Sequence, residues 1–600
     1  KAEAKVTRSK AALLGKEKWT SSIVIPGAQD FMGLMQNFMG RGKKGEAHQE
    51  FFENSLVRPF AKGVNELNHV KQRVSEDFKS LNRQMPKVKK KLNKKLPDSP
   101  YTHDHAIRVH RWNEAGFKIP DTSKTDIKHM VDFVNKDKQL LEYSRQLGKI
   151  SRLKEGYIEP GKHWIAETVL SDLQKMTSFK AREKYLAEWI ENKNIIFSEE
   201  NLNKIEATQG KKFREALEDI LHRMETGSNR PTSSNALANA HMSFINGSVG
   251  ATMFFNMRSA LLQTISATNY INWHDNNPAK AGLAFANQKQ YWRDFSMIWN
   301  SPMLKQRRAG LKYNVQEAEI AAAVEGSTNK AKAAISWLLK KGFTPTQIAD
   351  SFAISAGGAS MYRNRYKAYK KRGLSEKEAK EKAWLDFQEL TEKSQQSSRA
   401  DLISQQQASV LGRTILAWAN TPMQYMRLQE KAARNLINGR GDAKEHISKI
   451  LYYGAIQSLV FATLQSALFA FGMDDEDEES LSDAKYKERL NRVVNTVVDS
   501  QLRGIGTTGS LIAAVKNTAL EWDKQEEKGY NKDHTRTILQ LTGYSPVIGS
   551  KLRKLYSATQ TYKYNEDAIS EMGFDINNPA NLAIANVIEA TTNIPLARIV

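Results

Sequence analysis

Apolar residues recur along most of the chain at the three- and four-residue spacing of amphipathic helices. One clear example follows Ser123, a residue type that commonly caps a helix. The apolar positions after it are Ile127, Met130, Val131 and Val134. This pattern predicts a helix that starts beside Ser123 and buries one face.

Three more segments carry the same signal. The run 344–347 (Thr-Pro-Thr-Gln) predicts a capped helix start, with Ile348 and Phe352 on one face. Ser375 and Glu378 form a capping-box pattern before the stripe Ala383, Trp384, Phe387 and Leu390. A last stripe is Tyr486, Leu490, Val493, Val494 and Val497. Alternating strand patterns are scarce, so we predict a mostly α protein, an elongated multi-helix assembly without a dominant sheet.

Composition excludes several classes of protein. The 600 residues include 11 Trp, 23 Phe and 19 Tyr, too many aromatic residues for a chain that never packs. A mean hydropathy of −0.57 excludes a polytopic membrane protein. The chain contains no Cys, which excludes disulfides, thiolate metal sites and Cys nucleophiles.

Positive charge is concentrated near the start of the chain. The net charge is +23, and residues 1–100 hold 21 Lys and Arg against 10 Asp and Glu. The densest run lies between Pro86 and Pro97 and comprises Lys87, Lys89, Lys90, Lys91, Lys94 and Lys95. We interpret this run as a mobile basic linker whose lysines contact nucleic acid.

Changes in composition divide the chain into five predicted parts. They are a basic segment and linker (1–96), a helical domain (97–230), a helical segment (231–330), a helical domain ending in an uncharged helix (331–473) and a C-terminal helical segment (480–600). Acidic residues fill 474–479, where we expect a solvated turn and not paired catalytic carboxylates.

A second basic segment interleaves cations with tyrosines. The cations are Arg363, Arg365, Lys367, Lys370, Lys371 and Arg372, and the tyrosines are Tyr362, Tyr366 and Tyr369. One interpretation is contact with nucleic acid through phosphates and stacked bases, without sequence readout. The alternative is a surface helix that buries its tyrosines and solvates its cations.

Residues 450–473 form an uncharged stretch of 24 residues. As a helix it would rise roughly 36 Å, which exceeds a hydrocarbon core of about 30 Å. Small residues recur every four positions at Gly454, Ser458, Ala462, Ser466 and Ala470. Such a stripe suits either a buried assembly helix or a helix that enters a membrane. Glycines at 504, 506 and 509 break the chain before the next apolar helix, so the two helices could form a hairpin.

Other motifs are weak. The spacing of Gly40, Gly42 and Gly45 matches a dinucleotide-binding pattern, but the segment before it does not look like a strand, so a basic turn is favoured. His103, His105 and His110 do not share one helix face, which favours packing or solvent-facing roles over a metal site. We therefore predict no catalytic residue, no metal and no cofactor, and we expect no enzymatic activity in this chain.

Three phrases in the sequence are similar to one group of proteins. They are 100–113 with 116–120, then 256–273, and finally 420–425 followed by 438–442 and 450–455. Across roughly 95–600 the chain resembles large, Cys-poor internal virion proteins of tailed phages, also described as large polyvalent proteins. It is most similar to the cargo proteins of crAss-like phages. The chain begins at Lys1 and ends at Val600, and we expect it to be a segment of a longer polypeptide.

The resemblance implies a role but carries over no catalytic residue. It implies a cargo or ejection protein stored in the capsid or tail barrel and then delivered to the host envelope or cytoplasm. The implied partners are phage DNA bound non-specifically, portal and tail-channel proteins, other cargo copies and, conditionally, the host membrane. Two alternatives stay open: a non-catalytic helical segment of a giant packaged enzyme such as a virion RNA polymerase, and a fixed portal or tail component.

Overall fold

A computed structural model provides the structure of the chain. The described residues are 6–16, 30–150, 157–160, 164–166, 168–169, 172–173, 180–227, 244–245, 248, 264–271, 276–308, 344–394, 399–416, 419–460, 483–527, 532–573, 575, 577–593 and 596. The acidic run 474–479, positions 256–263 and 272–273 of the phrase 256–273, and the small residues Ala462, Ser466 and Ala470 lie outside them.

Helices account for nearly all regular structure in these residues. In chain order they are α1 Arg8–Lys16, α2 Phe31–Met35, α3 Gly42–Phe52, α4 Arg58–Gln84, α5 Pro86–Lys91, α6 His103–Glu114, α7 Lys124–Lys136, α8 Lys138–Ile150, α9 Lys180–Tyr185, α10 Ala187–Ile196, α11 Glu199–Gln209, α12 Lys211–Thr226, α13 Pro278–Ala286, α14 Gln288–Trp299, α15 Pro302–Arg308, α16 Thr344–Lys371, α17 Glu376–Ser394, α18 Gln405–Ala408, α19 Val410–Leu416, α20 Asn420–Ile437, α21 Ala443–Leu451, α22 Asp483–Gly504, α23 Thr507–Glu527, α24 His534–Leu541, α25 Pro546–Tyr564, α26 Glu566–Met572 and α27 Pro579–Thr592. The described residues form no strand, and their one isolated bridge joins Lys95 and Thr102. The predicted mostly α class without a dominant sheet is confirmed.

Contacts divide the chain into two units. One unit takes in the described residues of 52–198, and the other takes in those of 1–51, 199–324 and 333–600. The predicted linker between Pro86 and Pro97 lies inside the 52–198 unit, because Val88, Leu92 and Leu96 pack into its core.

The 52–198 unit is built around tryptophans supplied by two separate segments. Trp112 of α6 and Trp164 are fully buried, and their rings meet edge to face at 5.4 Å. Met130 and Val134 of α7 pack into the same core. The helix predicted after Ser123 is confirmed, because the Ser123 hydroxyl accepts the Asp126 N–H at the start of α7. Burial of this apolar face holds α6, α7 and α8 together.

The second unit contains a cluster on the 28-residue helix α16. Tyr270 stacks on Phe387 of α17 with ring centroids 5.9 Å apart. Gly357 permits this packing, because a Cβ there would lie 2.3 Å from the Ala267 carbonyl oxygen. The capping box predicted for α17 is confirmed, since Ser375 and Glu378 exchange hydrogen bonds.

Two of the predicted apolar stripes are only partly buried. The helix expected to start at 344–347 is present, but Ile348 and Phe352 are 47% and 43% exposed. In α22, Val494 is 52% exposed. Helix α22 ends at Gly504 and α23 begins at Thr507, so the predicted break between helices is present at Gly504 and Gly506, whereas Gly509 lies within α23.

The same unit joins residues that are far apart in sequence. Arg440 is buried, and its Nε and Nη2 donate to the carbonyl oxygens of Gly40 and Met39 at 2.7 and 2.9 Å. Lys431 pairs with the buried Asp30 at 2.7 Å. The chain therefore closes contacts across about 400 residues of sequence.

Candidate nucleic-acid interface

Helix α5 and the turn after it display six lysines. Val88 and Leu96 are 2% and 3% exposed and point into the core, whereas the lysine side chains are exposed. We call this set the lysine surface; its members are Lys87, Lys89, Lys90, Lys91, Lys94 and Lys95. Because the apolar residues between them anchor the segment, the surface is part of a folded unit and not the mobile linker that we predicted.

The backbone of the turn is fixed by the start of α6. The first N–H groups of a helix have no partner within the helix. Here His103 N–H donates to the Lys94 carbonyl at 3.0 Å, and Asp104 N–H donates to the Leu92 carbonyl at 3.0 Å. The His103 ring adds a bond from Nδ1 to the Lys94 carbonyl at 2.9 Å. Leu96 N–H donates to the Tyr101 carbonyl at 2.8 Å and holds the other end of the turn.

The lysines of the lysine surface form no ion pair within the part of the chain that the structure describes. Between residues 83 and 101 the sequence contains one acid, Asp98. Like charges held side by side repel one another, and an external anion relieves that repulsion. The arrangement suits a polyanionic partner.

We call residues 362–372, at the C-terminal end of α16, the tyrosine segment. Two of its arginines form ion pairs within the protein, unlike the lysines of the lysine surface. Arg363 forms a bidentate ion pair with Asp294 of α14, at 2.6 and 2.7 Å. Arg365 pairs with Asp386 of α17 at 3.1 Å. These two predicted nucleic-acid ligands are therefore committed to contacts within the protein.

The rest of that segment follows the surface-helix alternative. Tyr362 is buried, and the Tyr369 hydroxyl donates to Asp386 at 2.7 Å. The Lys370 ammonium group donates to the Leu374 carbonyl at 3.1 Å. The exposed cations that remain are Lys367, Lys371 and Arg372, and the guanidinium of Arg372 lies 5.7 Å from the Tyr369 ring centroid. The segment offers no exposed ladder of tyrosines for base stacking.

The three histidines near the start of α6 have separate partners. His105 Nε2 donates to the Ile165 carbonyl at 2.9 Å, and its Nδ1 accepts the Thr102 N–H. His110 lies between Ser144 and Asn135 at 2.9 and 3.1 Å. Burial lowers the pKa of both His105 and His110. Within the described residues, no group of His, Asp and Glu side chains could hold a metal ion.

The glycine-rich segment at 40–45 contains the start of α3 and a junction with a distant part of the chain. Gly42 begins α3, and the segment before it is a short helix and not a strand. Gly42 N–H donates to the Asn438 carbonyl at 2.8 Å, and the Gly40 carbonyl oxygen accepts a hydrogen bond from Arg440 Nε. The segment therefore contacts another part of the chain, and from Gly42 onward it is helical and not the basic turn that the sequence favours.

The described part of the uncharged stretch packs against neighbouring helices. A Cβ at Gly454 would lie 2.9 Å from the side-chain oxygen of Gln429 on α20. Ser458 faces Ser500 of α22 at 3.4 Å between their hydroxyl oxygens. No helix among the described residues is long and apolar enough to cross a membrane.

One buried polar network was not predicted from the sequence. Arg108 is fully buried and donates to both carboxylate oxygens of Asp172, at 2.6 and 2.8 Å. The Tyr157 hydroxyl adds a third bond to Asp172 at 2.9 Å. Asp104 lies nearby, and burial raises its pKa to about 7 against the opposing effect of Arg108. The four-residue spacing of Asp104 and Arg108 on α6 indicates that the two side chains share a helix face. It does not indicate Asp172 as the partner of Arg108, because Asp172 lies 64 residues away in the sequence.

Comparisons with family models, with curated proteins and with solved structures returned no match.

Proposed function

We propose that this chain is a cargo protein of a phage virion, held in the capsid or portal–tail channel and delivered to the host with the genome. The observation that carries the proposal is the resemblance over roughly 95–600 to internal virion proteins. The lysine surface supports it, because a protein stored beside packaged DNA gains affinity by neutralising phosphates and releasing counterions.

Passage through a narrow channel requires a chain that can unfold. The chain has no Cys, so no disulfide blocks threading. In the 52–198 unit, α6, α7 and α8 are neighbours in sequence and in space, and such local contacts favour rapid refolding. In the other unit, the contacts of Arg440 with Gly40 and of Lys431 with Asp30 must break before the chain can thread.

The test is the fate of the protein during genome ejection. Purified virions would be compared before and after triggered DNA release, with this chain and the major capsid protein quantified by peptide mass spectrometry. The proposal expects the chain to leave with the genome while the capsid protein stays. Retention at a stoichiometry matching the portal ring would overturn it and favour a fixed portal or tail component.

Contact with the host envelope is the part of the proposal that rests on residues 450–473. Mixing the full chain with liposomes and adding protease tests it. A protected fragment covering 450–473 supports envelope insertion; complete digestion without leakage of a trapped dye contradicts it. The remaining alternative is a segment of a packaged enzyme. Any longer polypeptide found to contain this chain tests it, since aspartate-rich metal motifs elsewhere in that polypeptide would favour a packaged enzyme.

A further inference from the structure

We propose that the lysine surface is a duplex-DNA backbone site and that the tyrosine segment of α16 is not. The inference rests on the proposed function for the identity of the partner, phage DNA, and deepens it by assigning the contact to one surface. The supporting observations are the fixed backbone of the lysine turn, the absence of ion pairs to its lysines among the described residues, and the internal pairing of Arg363 and Arg365.

The geometry matches a phosphate backbone. Helix α5 has six residues, so it rises roughly 9 Å at about 1.5 Å per residue. Phosphates of one DNA strand recur about every 3.4 Å along the helix axis, so α5 covers about two or three of them. Lys94 and Lys95 extend the surface beyond the helix. Lysine ammonium groups act as point charges on phosphates, so the site should not distinguish base sequences.

Single strands and membranes fit this surface less well. Unpaired bases stack on aromatic rings, and residues 83–97 contain no aromatic residue. Helices that bind at a membrane interface insert an apolar face. Here Val88 and Leu96 are buried, and Leu92 packs against the same core, so the segment has no exposed Val or Leu side chain to insert. Duplex DNA is therefore the partner that the surface fits best.

The experiment measures binding of the full chain to labelled duplex DNA over a range of salt concentrations. The test variant replaces Lys87, Lys89, Lys90 and Lys94 with Gln. The matched control replaces Lys124, Lys128, Lys136 and Lys138 with Gln, which removes the same charge from exposed positions of the same unit. Those control lysines lie among Asp126, Asp132 and Asp137. A third variant replaces the four test lysines with Arg.

The test variant should lose about tenfold or more in affinity near 0.1 M salt. Its plot of log affinity against log salt should become shallower by about 2 to 4, since each lost phosphate contact removes about 0.9. The control and the Arg variant should keep the wild-type slope within about 1, and two duplexes of different sequence should bind alike. Circular dichroism establishes that each variant is folded.

Three results would overturn the assignment. They are an equal loss in test and control variants, wild-type DNA binding in the test variant, and lysine-dependent binding to anionic phosphatidylglycerol vesicles but not to DNA. The last result would favour a membrane surface. The DNA-binding test can fail while the chain still leaves the virion during ejection. That combination would remove the assignment of the lysine surface and leave the proposed cargo role intact.

Discussion

Replacing Asp104 with Asn should make the stability of the 52–198 unit less dependent on pH. The Asp104 side chain is buried, with the residue 6% exposed, and its oxygens accept a hydrogen bond from Val169 N–H at 3.2 and 3.3 Å. Burial raises its pKa to about 7, although Arg108 favours the charged form. The neutral amide of Asn retains an oxygen that can accept the same bond, and it does not titrate.

The sign follows from linkage between protonation and folding. Because the pKa of Asp104 is raised above its ordinary value of 3.8, the folded state holds the proton more tightly than the unfolded state. The resulting stabilisation is fully present below pH 3.8 and is lost as pH rises through about 7. Between pH 5 and pH 8 the wild type should lose about 3 kcal/mol that Asp104→Asn does not lose.

Hydrogen–deuterium exchange of the α6 amides measures this difference locally. Opening free energies, corrected for the intrinsic pH dependence of exchange, would be compared at pH 5 and pH 8. Asp132→Asn, which neutralises an exposed carboxylate on α7, is the matched control and should follow the wild type. The reasoning fails if wild type and Asp104→Asn show the same pH dependence, or if Asp104→Asn loses more stability than the wild type between pH 5 and pH 8.

Three further comparisons test the packing of both units by urea denaturation. Arg108→Met should cost about 3 to 5 kcal/mol because it leaves the Asp172 carboxylate buried without its cation, and adding Asp172→Leu should recover part of that loss. Gly357→Ala should cost about 1 to 3 kcal/mol through its backbone clash, whereas Gly282→Ala, in open space on α13, should stabilise by about 0.5 to 1 kcal/mol. Arg363→Gln should lower stability by about 1 to 3 kcal/mol without changing the salt dependence of DNA binding.

Local signals in the sequence are sufficient to predict where individual helices begin. Ser123 caps α7 and Ser375 with Glu378 caps α17, because a capping bond involves residues only three apart. The lysine turn was misinterpreted because charge dominated the segment. Its apolar positions 88, 92 and 96 recur every four residues, which was the signal for an anchored face.

Contacts between distant segments could not be predicted from the sequence. The interpretation of Arg363 and Arg365 depended on whether a carboxylate lay opposite each guanidinium. Those carboxylates belong to Asp294 and Asp386 on other helices. The acceptors of Arg440 lie about 400 residues away. A single chain without aligned relatives contains no local pattern that pairs such positions, so the division of the sequence into five parts followed composition and not contacts.

The positive charge of this chain has two physical roles that the net value of +23 conceals. Among the described residues, six arginines but only one lysine are buried. A guanidinium can be buried because its five N–H donors match carbonyl and carboxylate acceptors, as at Arg108 and Arg440. An ammonium group is strongly hydrated and remains at the surface. Buried arginines such as Arg108 and Arg440 join segments within each unit, so the charge available to an external partner is carried mainly by lysines. Its densest concentration in the sequence is the run that forms the lysine surface.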